Sequence, residues 1–140
     1  MSQQSLTVIQ NALAALASND PDQIAGVLTP DAEWLSPPGN ATAEALGVTS
    51  HMVGRDAIVR FFSADFPRLF AEDVAVEVHG IHGDGERVTV EATMTATLAN
   101  GNHYANDYCF VFELQAGLVH RAREYADTAR GNRMVFAEAG

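Results

Sequence analysis

The chain has 140 residues, 47% of them hydrophobic, which suits one domain with a buried core and leaves too little for two, so a single domain over 1–140 is expected. Its 18 acidic against 8 basic residues give a formal charge of -10, and a phosphate-backbone partner would need a basic patch, so nucleic acid is not an expected partner. No run approaches about 18 apolar residues, the MSQQSL start lacks the basic and apolar stretches of a secretion signal, and the single cysteine, Cys109, cannot staple the chain to itself; a cytoplasmic protein without a membrane partner is the expectation.

Leu6, Ile9, Leu13 and Leu16 recur at helical spacing among alanines and predict an amphipathic helix over 6–17. Asn19-Asp20-Pro21 caps and starts a second helix with Ile24, Val27 and Leu28 as its buried side, and Thr29-Pro30 closes it. Asp31 to Ser36 predicts a short strand, cut off by Pro37-Pro38-Gly39 because proline lacks the ladder donor. From Asn40 to Val53 no period shows, and so long a loop in a compact domain points to function; His51 and Met52 lie in it. Gly54 to Phe70 predicts a helix with Ile58, Phe61, Phe62, Phe66 and Leu69 as its apolar stripe, kinked or ended early by Pro67.

Val74, Val76 and Val78 open a strand that runs to about His82, and Asp84-Gly85 turns it into the next. There Val88, Val90, Ala92, Met94, Ala96 and Leu98 alternate with Thr89, Glu91, Thr93, Thr95 and Thr97, the period of a strand whose faces differ. Asn100-Gly101 is the preferred pair for a two-residue type I′ turn, which sets Ala99 opposite Asn102 and Thr93 opposite Tyr108; the same counting puts Val78 opposite Glu91 and Val76 opposite Thr93. The third strand carries Tyr104, Asn106, Tyr108, Phe110, Phe112 and Leu114 on one face. Its turn, Gln115-Ala116-Gly117, is expected to be a three-residue loop with Gly117 left-handed, which places Leu114 opposite Leu118 and Glu124 opposite Tyr108; a two-residue loop would send Glu124 to the other face. Residues 128–140 carry no assignable structure.

Two helices, a short strand, a helix and a four-strand meander predict an α+β domain with helices packed on one face of a curved sheet. Val74, Val76, Val78, Phe110, Phe112 and Leu114 make one face apolar, and Val90, Ala92, Met94, Ala96, Val111 and Val119 the other. Three helices can cover only one of them, so a homodimer through the second is expected. The row Thr93, Tyr108 and Glu124, flanked by Thr95, Asn106 and Glu91, crosses the face under the helices. A carboxylate walled by Val76, Phe110 and Phe112 has a raised pKa, the condition under which a glutamate acts as base or acid near neutral pH. Glu124 then either moves a proton beside a ligand carbonyl that Tyr108 polarises, or accepts the Tyr108 hydroxyl as a satisfied buried pair. Trp34 is an aromatic wall or plain core, and His51 an acid/base partner at the pocket mouth or a solvated loop residue. None of the five histidines pairs with a carboxylate at ligand spacing, so no metal is expected.

This order of elements, with PDAEWLSPPG at 30–39, GRDAIVRFF at 54–62 and YANDYCFVFELQAGLVHRAREYADT at 104–128, resembles the nuclear transport factor 2-like superfamily. Within it, the resemblance is to the SnoaL-like and ketosteroid isomerase-like proteins, and it spans 6–127. It implies a conical roll: a strongly curved, mostly antiparallel sheet with about three helices on its concave face, enclosing one apolar pocket. The implied chemistry is of isomerase, cyclase, dehydratase or epoxide hydrolase type, or non-catalytic binding. Where steroid isomerases carry an Asp base before the proline that follows the first strand, this chain has Ser36; where they carry a protonated Asp on the long strand, it has Tyr108. Where limonene epoxide hydrolases carry Arg-x-Asp on one strand, Asp on the last, and Tyr and Asn on the first, it has Glu91-x-Thr93, Glu124, Trp34 and Ser36. The expected site therefore has Tyr108 and Glu124 as its catalytic pair. Trp34, Ser36, His51, Glu91, Thr93, Thr95, Asn106 and Phe110 surround a hydrophobic carbonyl- or hydroxyl-bearing ligand, and no cofactor is expected.

Overall fold

The computed structural model describes residues 2–138. Helix α1 (Gln3–Ala17) starts where the Ser2 side chain accepts the Ser5 N–H, and it buries Ile9, Ala12 and Leu16. Asp20 caps α2 (Pro21–Ala25), with Pro21 at the position where a missing N–H costs nothing. Thr29-Pro30 does not end a helix there; both residues already lie in β1 (Leu28–Leu35). The stretch without a period contains a helix, α3 (Ala41–Leu46), capped by Asn40 and ended by Gly47 at φ 69°, and a three-residue strand, β2 (His51–Val53).

The third predicted helix is present as α4 (Arg55–Arg60) and α5 (Phe66–Leu69), joined by one wide π turn over Phe61–Asp65 in which the Phe66 N–H reaches back to the Phe61 carbonyl. That turn falls just before Pro67, whose ring cannot sit against the carbonyl four residues back, so the helix widens rather than breaks. Four long strands follow: β3 (Phe70–Asp84), β4 (Arg87–Leu98), β5 (His103–Gln115) and β6 (Leu118–Ala126). The chain then forms a further helix, α6 (Thr128–Phe136), in the tail that showed no sequence signal; Asp127 caps it by accepting the Arg130 N–H.

The strands make one open mixed sheet in the order β2-β1-β6-β5-β4-β3, in which β1 runs parallel to β6 and every other neighbour is antiparallel. The fold class is α+β, as expected. The register differs from the expected one at each of the three hairpins. At Asn100-Gly101 the loop counts three residues, with Leu98 N–H bonded to the Asn102 carbonyl at 2.8 Å and Thr97 paired with His103. A type I′ turn needs positive φ at both central residues, and only Gly101 has it, at 89°; the Asn100 side chain instead accepts the Asn102 N–H at 3.0 Å. After β5 the opposite occurs. Ala116 (φ 52°) and Gly117 (φ 78°) form the two-residue loop, pairing Gln115 with Leu118. The loop between β3 and β4 is Gly85-Glu86, and a bulge at His79, between the Gly80–Glu91 and Val78–Ala92 pairs, then sets Val78 opposite Ala92 and Val76 opposite Met94.

These shifts place Val88, Val90, Ala92 and Met94 across from Phe112, Phe110, Tyr108 and Asn106, all on the face that the helices cover. The apolar residues expected on two faces thus share one, except Val111. The other face of β4 carries Thr89, Glu91, Thr93, Thr95 and Thr97. That removes the premise from which a homodimer was expected. On the covered face, Ile9, Ile24, Ile58, Val90 and Phe112 are fully buried and form the main core with Trp34. Truncating a side chain such as Phe112 to alanine costs about 3–5 kcal/mol. A second cluster, Phe70, Met94, Ala96, Leu98 and Tyr104, packs under α6 through Val135.

Candidate active site

Between the helices and the sheet lies a cavity of about 170 Å³. Leu16 of α1, Phe61 and Phe62 of the π turn and Phe66 of α5 form its roof, and Trp34, Tyr108, Phe110 and Glu124 its floor. The π turn brings three phenylalanines of one helix to the same space. Trp34 meets Phe62 edge to face, with ring centroids 4.9 Å apart, and stands 6.1 Å from Phe110 and 6.0 Å from Phe112 in the same manner. Val74 and Val76, 43% and 47% exposed, mark the rim. Among the described residues no Arg or His lines the cavity, so a ligand anion would find no side-chain counter-charge.

Glu124 reaches this wall by two departures from simple counting. A two-residue loop after β5 would by itself turn Glu124 to the uncovered face. A bulge then adds His120 on β6 between the Leu114–Val119 and Glu113–Arg121 pairs and restores the side, so Glu124 lies opposite Phe110. The expected row Thr93–Tyr108–Glu124 does not form. Tyr108 pairs with Ala92 and Ala126 instead.

The Glu124 carboxyl accepts one hydrogen bond from the described residues, Trp34 Nε1–H to Oε1 at 3.3 Å. Burial raises its pKa from 4.5 to about 7, and the Trp34 bond works against that rise. Trp34 is brought there by the parallel pairing of β1 with β6, where it faces Ala122. The Tyr108 hydroxyl is not bonded to Glu124. It makes a short hydrogen bond with the hydroxyl of Tyr104, and burial, then the neighbouring Tyr104, pushes the Tyr108 phenol above its ordinary value. Burial likewise raises Tyr104. Glu124 is therefore not the acceptor of a satisfied Tyr108 pair.

Of the other expected site residues, Trp34, Phe110 and Ser36 line the cavity. Ser36 is tied up there, donating to the Ser50 carbonyl at 3.1 Å and accepting from Asn40 Nδ2 at 3.0 Å. Asn106 faces the same side but lies under α6, 1% exposed, away from the cavity wall. Glu91, Thr93 and Thr95 are on the uncovered face because the three-residue loop shifts β4 by one. There Thr93 links His79 Nε2 (2.7 Å) to Asp107 Oδ1 (2.6 Å). His51 also lies outside, with Nε2 2.7 Å from Glu33 Oε2, and the bonds from His51 and Arg121 hold the Glu33 carboxyl below its usual value. The Glu91-x-Thr93 counterpart of the epoxide hydrolase pair thus has no access to the cavity.

Sequence reasoning missed Tyr104, although it shares a face with Tyr108 four residues away. It treated Phe61, Phe62 and Phe66 only as a core stripe.

A family model for the SnoaL-like domain matches residues 9–122. No curated protein sequence matches the chain. Among solved structures, an NTF2-like protein of unknown function from Burkholderia pseudomallei superposes with a TM-score of 0.82 at 22% identity, over 98% of this chain and 100% of that one. A candidate SnoaL-like polyketide cyclase from Jannaschia follows at TM-score 0.77 and 16% identity, over 99% and 97%. An epoxide hydrolase from M. tuberculosis, described as LEH-like, gives 0.73 and 19%, over 96% and 90%. At these identities the likeness is one of fold. Among the described residues no helix is long and apolar enough to cross a membrane.

Proposed function

Since the chain belongs to the SnoaL-like domain family, we propose that it is a cofactor-independent enzyme that moves a proton within an uncharged, apolar small molecule bearing a carbonyl or hydroxyl group. Glu124 is the acid/base, and Tyr108 hydrogen-bonds the ligand oxygen. The observation that carries this reading is a lone carboxyl on the wall of an aromatic cavity, raised to about 7 by burial. A group that titrates at the working pH both accepts and returns a proton without a large penalty either way. The cavity is close to the roughly 150 Å³ void that holds benzene, so its deep part takes one ring, and the rest of a ligand extends through the mouth.

The chemistry balances without an outside reagent. Glu124 takes a proton from the carbon beside a carbonyl, and the carbon's electron pair moves onto oxygen, where Tyr108 stabilises the developing charge. Where the ligand carries a β,γ double bond, the enolate extends over it, and returning the proton at the γ carbon moves the double bond into conjugation and isomerises the ligand. If Glu124 instead gives that proton to a β-hydroxyl, the enolate collapses and water leaves, which dehydrates the ligand; if the enolate carbon attacks a second carbonyl, a ring closes and the proton goes to the new alkoxide oxygen.

The test is α-proton exchange of uncharged cyclic ketones such as 2-tetralone in D₂O, followed by proton NMR. The native protein speeds exchange and Glu124→Gln does not. Equal rates for the two proteins across a panel of such ketones would remove Glu124 as the proton carrier. A second reading, a binder without turnover, draws on the internal pairing of Ser36 and of the two tyrosine hydroxyls. Ligand binding that is tight and identical in the native and glutamine proteins, with no exchange in either, would favour it.

A further inference from the structure

The Tyr104–Tyr108 bond could run in either direction, and the direction decides what the cavity offers a ligand. Asn106 settles it. Its Nδ2 lies 3.0 Å from the Asp127 carbonyl oxygen, which can only accept, and its Oδ1 lies 3.0 Å from the Asp107 backbone N–H, which can only donate. The amide is thus fixed at both ends. Its second Nδ2 proton goes to Tyr104 Oη, 3.3 Å away.

Tyr104, 2% exposed, accepts that bond and still has a phenolic proton to place. Among the described residues the Tyr108 oxygen is the side-chain acceptor bonded to it. A buried hydroxyl proton left without an acceptor costs about 1–3 kcal/mol, so Tyr104 donates and Tyr108 accepts. The Tyr108 proton then has no protein acceptor among the described residues, and its side chain lines the cavity.

We infer that Asn106 is a positioning residue: through Tyr104 it turns the Tyr108 hydroxyl into a donor toward the cavity, so that the site takes ligands presenting an acceptor oxygen there, such as that of a carbonyl. This rests on the reading of Tyr108 as the group that meets the ligand oxygen. Each donor in the series is itself an acceptor, so Asn106 and Tyr104 also strengthen the last bond, the one to the ligand. The amide is held in place by α6. Asp127 caps that helix and lends Asn106 its carbonyl, and a Cβ on Gly131 would come within 3.2 Å of Asn106 Nδ2.

The chain has three tyrosines, so labelling their ζ carbons with ¹³C gives three resonances, of Tyr104, Tyr108 and Tyr125. Asn106→Asp replaces the fixed donor with an acceptor. Tyr104 then donates to the carboxylate and accepts from Tyr108, and the Tyr104 and Tyr108 resonances move in opposite senses while Tyr125 stays. Resonances that do not move, or that move together, overturn the proposal. Should a buried carboxylate prevent folding, Tyr104→Phe removes the proton given to Tyr108 and leaves Asn106 in place. The Tyr108 resonance must then move as that of an oxygen that has lost a donor, and an unmoved resonance is equally fatal. In Asn106→Asp, where Tyr108 turns its proton to Tyr104, binding of 2-tetralone weakens about tenfold, the equivalent of one lost neutral hydrogen bond, and unchanged binding also overturns the proposal; in Tyr104→Phe the Tyr108 proton stays with the ligand, and the Tyr108 resonance is the readout. None of these readouts involves Glu124, so a failure of the proton-transfer reading, seen in ketone exchange, is told apart from a failure here.

Discussion

Replacing Glu124 with glutamine removes its charge while nearly keeping its shape, and the effect on stability has a sign that can be worked out. In the folded chain burial lifts the carboxyl from 4.5 to about 7. The unfolded chain loses that proton near the lower value. Between the two, the folded state binds more protons than the unfolded one, so stability falls as pH climbs through the window and is level on either side. At about 1.36 kcal/mol per pH unit, ionising Glu124 in place costs about 3 kcal/mol, complete by about pH 8. Glutamine retains an oxygen to accept the Trp34 Nε1–H and never ionises. Apart from an offset that does not depend on pH, Glu124→Gln should therefore gain on the native protein by about 3 kcal/mol between about pH 4 and pH 8. Urea denaturation of both proteins across that range reads it, and taking the difference cancels the other carboxylates. A difference that stays constant with pH, or one that favours the native protein as pH rises, refutes the placing of this acid in a dry wall. The same substitution should abolish ketone exchange.

Trp34→Phe removes the one donor to Glu124 and should raise the carboxyl pKa further, read by ¹³C NMR titration of the glutamate side chain; a lowered value would contradict the role assigned to that bond. Gly131→Ala sits inside α6, where the exchange would ordinarily gain about 1 kcal/mol. Here the new methyl meets Asn106, which is pinned by Tyr104, Asp107 and Asp127, so a lower melting temperature is expected, and a higher one would show that the amide can yield. Ala116→Asn places a residue that tolerates positive φ where an alanine now holds φ 52°, and should stabilise the chain by about 0.5–1 kcal/mol in denaturant titration. No gain would mean that the turn relaxes to another conformation without asparagine.

The elements with long periodic patterns were legible because each depends only on its own residues. Leu6 to Leu16 and the threonine alternation of β4 announce themselves, and a wide turn absorbs Pro67 without changing the face that Phe61, Phe62 and Phe66 present. What joins the elements was less legible. Asn100-Gly101 is the stronger two-residue signal and forms the longer loop, because the asparagine side chain makes a bond that competes with positive φ. Ala116-Gly117 is the weaker signal and forms the tight turn, with an alanine held where a β-carbon is unfavourable. Helix α6 has nine residues, too few to stand alone, and exists because Gly131 and Val135 pack on β5 and its neighbours. The Trp34–Glu124 contact spans 90 positions of sequence and depends on a parallel pairing that no local turn foretells. Glu124 was assigned to the covered face through a loop that does not form; a tight turn and a bulge whose effects cancel bring it there.

That cancellation binds the length of one hairpin to the identity of its lining. Remove a single residue from the arm between Phe112 and Glu124, and everything beyond the cut changes sides: Arg123 and Tyr125 enter the ring-lined hollow, and the acid emerges beside the guanidinium groups outside. Insertions and deletions in this arm are tolerable only in compensating pairs, so kindred chains can vary in loop length here by steps of two, or trade the bulge for a longer turn, and still offer a ligand the same carboxyl.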